Sequence, residues 1–125
     1  MTRRARIRIG SWAGIALVAT LAVSGCRSHH VAVTVENRTG AAVQLLEVDY
    51  PSASFGADSL AGNADLHYRI QIRGEGAVAV QYAGRGGVPV KMTGPQLAEG
   101  QEGSLQIVLL PGDKAEFHPQ LTAGH

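Results

Sequence analysis

The 125-residue chain offers one cysteine, five histidines and ten carboxylates as its chemically versatile side chains. Cys26 stands in the run LAVSGCRSHH, where a greasy segment meets a polar one. A lone thiol forms no internal disulfide, which leaves redox chemistry, an intermolecular bridge or modification. The adjacent His29 and His30 are of a type that binds zinc well, but on an extended chain neighbouring side chains point to opposite sides and do not share one ion. With His67, His118 and His125 scattered along the sequence, no metal site is expected, and the pair is read as polar tether. Asp58, Asn63 and Asp65 carry oxygens of the kind calcium takes, about six to eight at a time, in a spacing unlike an EF-hand. Ser52-Ala53-Ser54 lacks the surroundings of a nucleophile elbow. No glycine-rich run joins a strand to a helix as a phosphate cradle requires. Neither a catalytic residue nor a cofactor is expected, and the chain does not read as an enzyme.

The residues before Cys26 account for its position. Arg3, Arg4, Arg6 and Arg8 lead into an apolar stretch from Trp12 to Val23 and then Ser24-Gly25. This is the layout of a secretory signal peptide. About a dozen apolar residues fall short of the roughly 20 that a bilayer-spanning helix needs, so residues 1–25 are expected to be cleaved. The following Ala5-Arg6-Ile7 does not continue Arg3-Arg4 into a twin-arginine signal.

Val23-Ser24-Gly25-Cys26 resembles the lipobox of bacterial lipoproteins: an aliphatic residue, a small residue, Gly or Ala, then Cys. The resemblance implies a diacylglyceryl group on the Cys26 sulfur, cleavage before it, and acylation of the new amino group. Each buried methylene adds about 0.8 kcal/mol, so two or three chains on one residue hold a domain at a membrane where a single chain does so only marginally. The thiol is consumed, and this covalent lipid is the only non-protein group expected. The implied address is the bacterial cell envelope. Arg27, rather than Asp, follows Cys26, which favours the periplasmic face of an outer membrane where one exists, and otherwise the outer face of the cytoplasmic membrane.

Loss of residues 1–25 removes four of the 11 basic residues and none of the ten acidic ones, leaving seven against ten and a net charge of −3. A nucleic-acid partner calls for a basic patch, and none is expected. The remaining chain comprises a short tether, 26–30, and a domain, 31–125, of a size that folds around one core. Its apolar residues recur with a period of two, which argues strands: Val31, Val33 and Val35; Leu66, Tyr68, Ile70 and Ile72; Val78, Val80 and Tyr82; Val88, Val90 and Met92; Leu105, Ile107 and Leu109. Val108 and Leu110 make the last of these apolar on both faces, as in a central strand, and Phe117 belongs to a short final strand. In Ala42–Tyr50 the period slips, Val43 and Leu45 on one face and Leu46, Val48 and Tyr50 on the other. A β-bulge near Leu45-Leu46 is expected to bring both sets inward. Asn37-Arg38-Thr39-Gly40, Gly74-Glu75-Gly76, Gly84 to Gly87, Gly94-Pro95 to Gly103 and Pro111-Gly112-Asp113 punctuate the runs as turns. The expectation is an all-β fold: an antiparallel two-sheet sandwich of about seven strands, immunoglobulin-like. It resembles the small exported β-sandwich domains whose first strand ends in Asn-x-Thr-Gly.

Between these strands Pro51–Asp65 shows no sustained alternation and reads as a loop of a length that is often functional, with Phe55 and Leu60 its large apolar residues. Next to it, His67, Arg69 and Arg73 share one face of a strand, where Glu47 or Asp49 is expected to pair with them. Phe55, Asp58, Asn63, Asp65, His67, Arg69 and Arg73 are therefore the candidate contacts. The function they suggest is a non-catalytic accessory or protein-interaction domain near the membrane, its partner another envelope protein. A binding module for an anionic glycan or a metal ion, built on the 51–65 loop and the His67/Arg69/Arg73 face, is the alternative.

Overall fold

The computed structural model describes residues 29–123; the expected signal peptide and Cys26 lie outside the described residues. Eight strands follow one another: β1 (Val31–Asn37), β2 (Val43–Tyr50), β3 (Ala53–Leu60), β4 (Asp65–Ile70), β5 (Gly76–Ala83), β6 (Pro89–Leu97), β7 (Glu102–Leu110) and β8 (Lys114–Thr122), with one 3₁₀ turn at Arg85–Gly87 before β6. They form two four-stranded sheets, ordered β4-β1-β7-β8 and β3-β2-β5-β6. The two-layer sandwich is the architecture the period-two runs call for. Its pairing is antiparallel except where β1 runs parallel to β7, from Val31 beside Gly103 to Asn37 beside Leu109.

The inner faces carry the alternating residues. Val31, Val33, Val35, Leu105, Ile107 and Leu109 on the first sheet meet Val43, Leu46, Val48, Val78, Val80 and Tyr82 on the second, all buried. β7 is central, between β1 and β8, but Val108 and Leu110 on its other face are only partly buried. The Leu66 to Ile72 run ends as a strand at Ile70, and Ile72 is buried from the following loop. Val88 precedes β6 and is exposed. The final strand is nine residues long rather than short.

The expected bulge is present. Between Gln44 and Glu47, β2 advances three residues while β5 advances two, from Ala83 to Gln81. Leu45 takes the left-handed backbone at φ 53°, so it turns outward and is 67 % exposed, while Leu46 turns in. Only one of the two leucines reaches the core.

Pro51–Asp65 is not a loop. Ala53–Leu60 forms the edge strand β3, paired with β2 from Tyr50 beside Ala53 to Val43 beside Leu60. Its small residues hid it. Gly56 lies so close to β2 that a Cβ there would meet the Leu46 carbonyl oxygen at 2.0 Å. Pairing with β2, rather than the segment's own propensity, makes it a strand.

Gly94-Pro95 is likewise inside a strand, not a turn. β6 advances from Thr93 to Gln96 while β5 advances from Ala77 to Ala79, so the proline occupies a bulge on an edge strand, where a missing N–H costs least. A Cβ on Gly94 would lie 2.5 Å from the Phe117 ring. Phe117 of β8 thus covers Gly94 of β6 and closes one open side of the sandwich.

Candidate functional site

The opposite open side, between β3 and β4, holds most of the residues singled out above. Phe55 reaches from β3 toward the other sheet and stacks on Tyr68 of β4, centroids 4.5 Å apart and planes 3° apart. Tyr50 approaches the same ring at 6.4 Å with a 51° tilt. Phe55 is buried, but Tyr68 is 50 % exposed. Offset aromatic stacking adds to the area the rings remove from water, and here it joins two sheets along an edge where no ladder does. Burial, with the Tyr68 phenol adding to it, holds the Tyr50 phenol above its ordinary range.

On the outer face of β4, Asp65, His67 and Arg69 follow at intervals of two, opposite Glu36, Thr34 and Ala32 of β1. Arg38 Nη2 contacts Glu36 at 2.8 Å and Asp65 at 3.4 Å, and its Nη1 is buried with no acceptor. His67 Nδ1 and the Thr34 hydroxyl form a hydrogen bond of 3.2 Å. Arg69 is exposed. The expected acids do not reach it: Glu47 and Asp49 lie on β2 in the other sheet, where Glu47 accepts a hydrogen bond of 2.6 Å from Gln81 Nε2. Burial first, then Glu47, with Lys91 opposing, raises the Asp49 carboxyl above its ordinary value.

The other candidates separate. Arg73 lies beyond the end of β4, its guanidinium donating to Gln71 Oε1 at 3.2 Å and its backbone N–H to Ser52 Oγ at 3.2 Å. It does not extend the His67/Arg69 face. Asp58 is exposed on β3. Asn63 turns the chain between β3 and β4 at φ 62°, its N–H donating to the Asn37 carbonyl at 2.8 Å. Among the described residues no group of three or more His, Cys, Asp or Glu is placed to hold a metal ion. His29 instead pairs with Glu102, and the Gly103 N–H donates to the His30 carbonyl at 3.3 Å, which docks the end of the tether on β7.

Asn37, expected only to turn the chain, is the one fully buried polar side chain among the described residues. Its amide donates to the carbonyls of Ala41, Leu60 and Ala61 at 2.8, 3.0 and 3.1 Å. Its Oδ1 accepts from the Thr39 N–H at 3.1 Å and the Thr39 hydroxyl at 2.7 Å. The Asn-x-Thr motif therefore ties the turn after β1 to the end of β3. The side chain is committed to the fold and offers nothing to a ligand.

No family model, no curated protein and no solved structure matches this chain.

Proposed function

We propose that the chain is a bacterial envelope lipoprotein, anchored through Cys26, whose sandwich is a non-catalytic interaction domain with the β4 edge as its contact surface. The observation that carries the reading is the half-exposed Tyr68 ring, held by Phe55 on a strand that, among the described residues, is paired on one side only, with His67 and Arg69 exposed on the opposite face of the same strand. A planar aromatic pre-fixed by stacking has the make-up of an interface anchor. An unpaired strand adds backbone donors and acceptors to it.

The tether supports a partner near the membrane. His29 is docked beside β7, so Cys26 lies three residue steps from a fixed point. At 3.3 to 3.6 Å per residue that is a reach of roughly 10 Å.

A photocrosslinking residue in place of Tyr68, in the full chain in native membranes, tests the contact, and labelled fatty acid tests the anchor. The expected results are an adduct at position 68 and label that Cys26→Ser abolishes. Without an adduct the contact surface is wrong; unchanged labelling in the serine variant refutes the anchor.

A further inference from the structure

Of the four edge strands, three are spoiled for pairing with another chain. β6 contains Pro89 and Pro95 and a bulge, and β8 contains Pro119. β3 has Gly56 pressed against β2 and turns both Asp58 and Ser59 outward opposite the Leu45 bulge. Proline and irregularity are how natural sheets blunt their edges. β4 has neither: Asp65–Ile70 pairs with β1 in unbroken register, and it contains no proline or glycine.

The sequence of this edge, Asp65-Leu66-His67-Tyr68-Arg69-Ile70, is complementary to itself when reversed. Two copies placed antiparallel about His67 set Asp65 opposite the other copy's Arg69, twice. Leu66 then faces the other Tyr68, also twice, and the two His67 side chains meet on the axis. Residues directly opposite in an antiparallel pair share a face, so the charged pairs fall on the outer face and the apolar pairs on the inner. Asp65 keeps its 3.4 Å contact with Arg38, and the match adds to it what the single copy leaves over on Arg69 and Tyr68. Arg69 makes no ion pair or side-chain hydrogen bond among the described residues, and half of Tyr68 is uncovered. Shifting the register by two sets His67 opposite Arg69 or Asp65 opposite His67 and leaves the arginine or the ring unmatched.

We infer that the partner at the β4 edge is a second copy of this chain, joined by antiparallel β4–β4 pairing centred on His67 into one continuous eight-stranded sheet. The inference rests on the reading of β4 as the contact edge. Its symmetry suits the anchor. A two-fold axis perpendicular to the sheet reverses the strands but keeps both tether roots at the same height along the axis. Both lipids therefore enter one leaflet when the axis stands normal to the membrane and the strands lie along its surface. The contact is a single strand wide, and confinement to a membrane raises the local concentration that such a contact needs.

His67→Cys in the full chain, oxidised in isolated membranes, places two thiols across the axis. Opposed Cα atoms there are about 4.5 or 5.5 Å apart, inside the disulfide range of about 4.4 to 6.8 Å. The expected result is a linked dimer that neither the unsubstituted chain nor His118→Cys, exposed on β8, produces. No dimer from His67→Cys, or as much from His118→Cys, overturns self-pairing. Charge provides the second test. Asp65→Arg alone or Arg69→Asp alone turns two attractive pairs repulsive and is expected to weaken self-association about tenfold or more, whereas mixing the two variants matches every pair and restores it. Failure of the mixture to recover overturns the register. The crosslinker at Tyr68 separates the two claims: an adduct with a different protein sinks self-pairing and leaves the contact edge standing, while no adduct of any kind sinks both.

Discussion

The rings of Phe55 and Tyr68 lie parallel at 4.5 Å although they belong to different sheets. Phe55 is buried and Tyr68 half exposed, so the same contact closes the sandwich on its inner side and presents an aromatic surface on its outer side. The two jobs come apart under substitution. Phe55→Ala removes a buried ring and is expected to cost about 3 kcal/mol, near the low end for such truncations because the site borders solvent. Tyr68→Ala is expected to cost less in stability and more in crosslinking. Denaturant titration of the two single variants and the double variant is expected to give a coupling of about 0.5 to 1.5 kcal/mol. A coupling of zero would mean that the rings merely adjoin.

Asn37 makes a second, independent prediction. Asn37→Ala strips the Leu60 carbonyl and the Thr39 N–H of their partner, while the Ala41 and Ala61 carbonyls keep the Thr39 hydroxyl and the Ala64 N–H; each unsatisfied group costs about 1 to 3 kcal/mol. A loss of about 2 kcal/mol or more follows. Asn37→Asp keeps the shape but aims a carboxylate at three carbonyl oxygens. Burial and those dipoles raise the introduced carboxyl's folded pKa above its unfolded value near 4. The variant is therefore least damaged below that value and loses stability as pH rises from it through the folded one, more steeply than the unsubstituted chain does. Equal damage to the Asp variant at pH 3 and pH 7 would show that the amide hydrogens are not what the site requires.

Much of this fold is legible in the sequence because large apolar residues alternate where strands are central. Val33, Val80 and Ile107 each sit in such a run, and each is buried. β3 is not legible, because its two large buried residues, Phe55 and Leu60, stand five apart and break the period of two, and the residues between them are small or polar; β2 imposes its register. Gly94-Pro95 has the composition of a turn and is a bulge, a difference set by the Phe117 ring lying over it. The outward placement of His67 and Arg69 follows from alternation. The exposure of Tyr68 does not, since Leu66, Tyr68 and Ile70 share a parity and only the position of β4 at the edge carries the inner face past the rim of the core. Nothing in one sequence says which strand is the edge, and for the same reason nothing in it says that Glu47 and Asp49, the acids expected to pair with His67, Arg69 and Arg73, lie in the other sheet.

The second sheet's outer face is tested by pH. Glu47 and Asp49 stand two residues apart on β2, and the Asp49 carboxyl is raised by burial and then by Glu47. A carboxyl raised on folding contributes stability that is full below its unfolded value, 3.8 here, and that is lost as pH rises through the folded one. At pH 7 the ionised group is therefore a small burden. Asp49→Asn is expected to raise the unfolding midpoint slightly at pH 7 and to lose that advantage below about pH 4. A variant less stable than the unsubstituted chain at pH 7 would show that the attraction of Lys91 outweighs burial and Glu47.

The tether gives the last prediction. Gly103 N–H to His30 carbonyl and His29 to Glu102 fix the chain as it enters β1, leaving only Arg27 and Ser28 between that fixed point and Cys26. If the anchor holds the domain against the membrane so that its β4 edge meets a partner confined to the same surface, slack in the tether dilutes the encounter. A flexible insertion of about 20 residues has a root-mean-square span of roughly 25 Å, more than twice the present reach. Placed after Ser28, it leaves the His29 and His30 contacts and the sandwich untouched, so the unfolding midpoint is expected to stay where it is. The yield of the Tyr68 adduct is expected to fall, because effective concentration drops as a tether lengthens beyond the span it must bridge. An unchanged midpoint with an unchanged adduct in unchanged yield would show that nearness to the membrane plays no part in the contact.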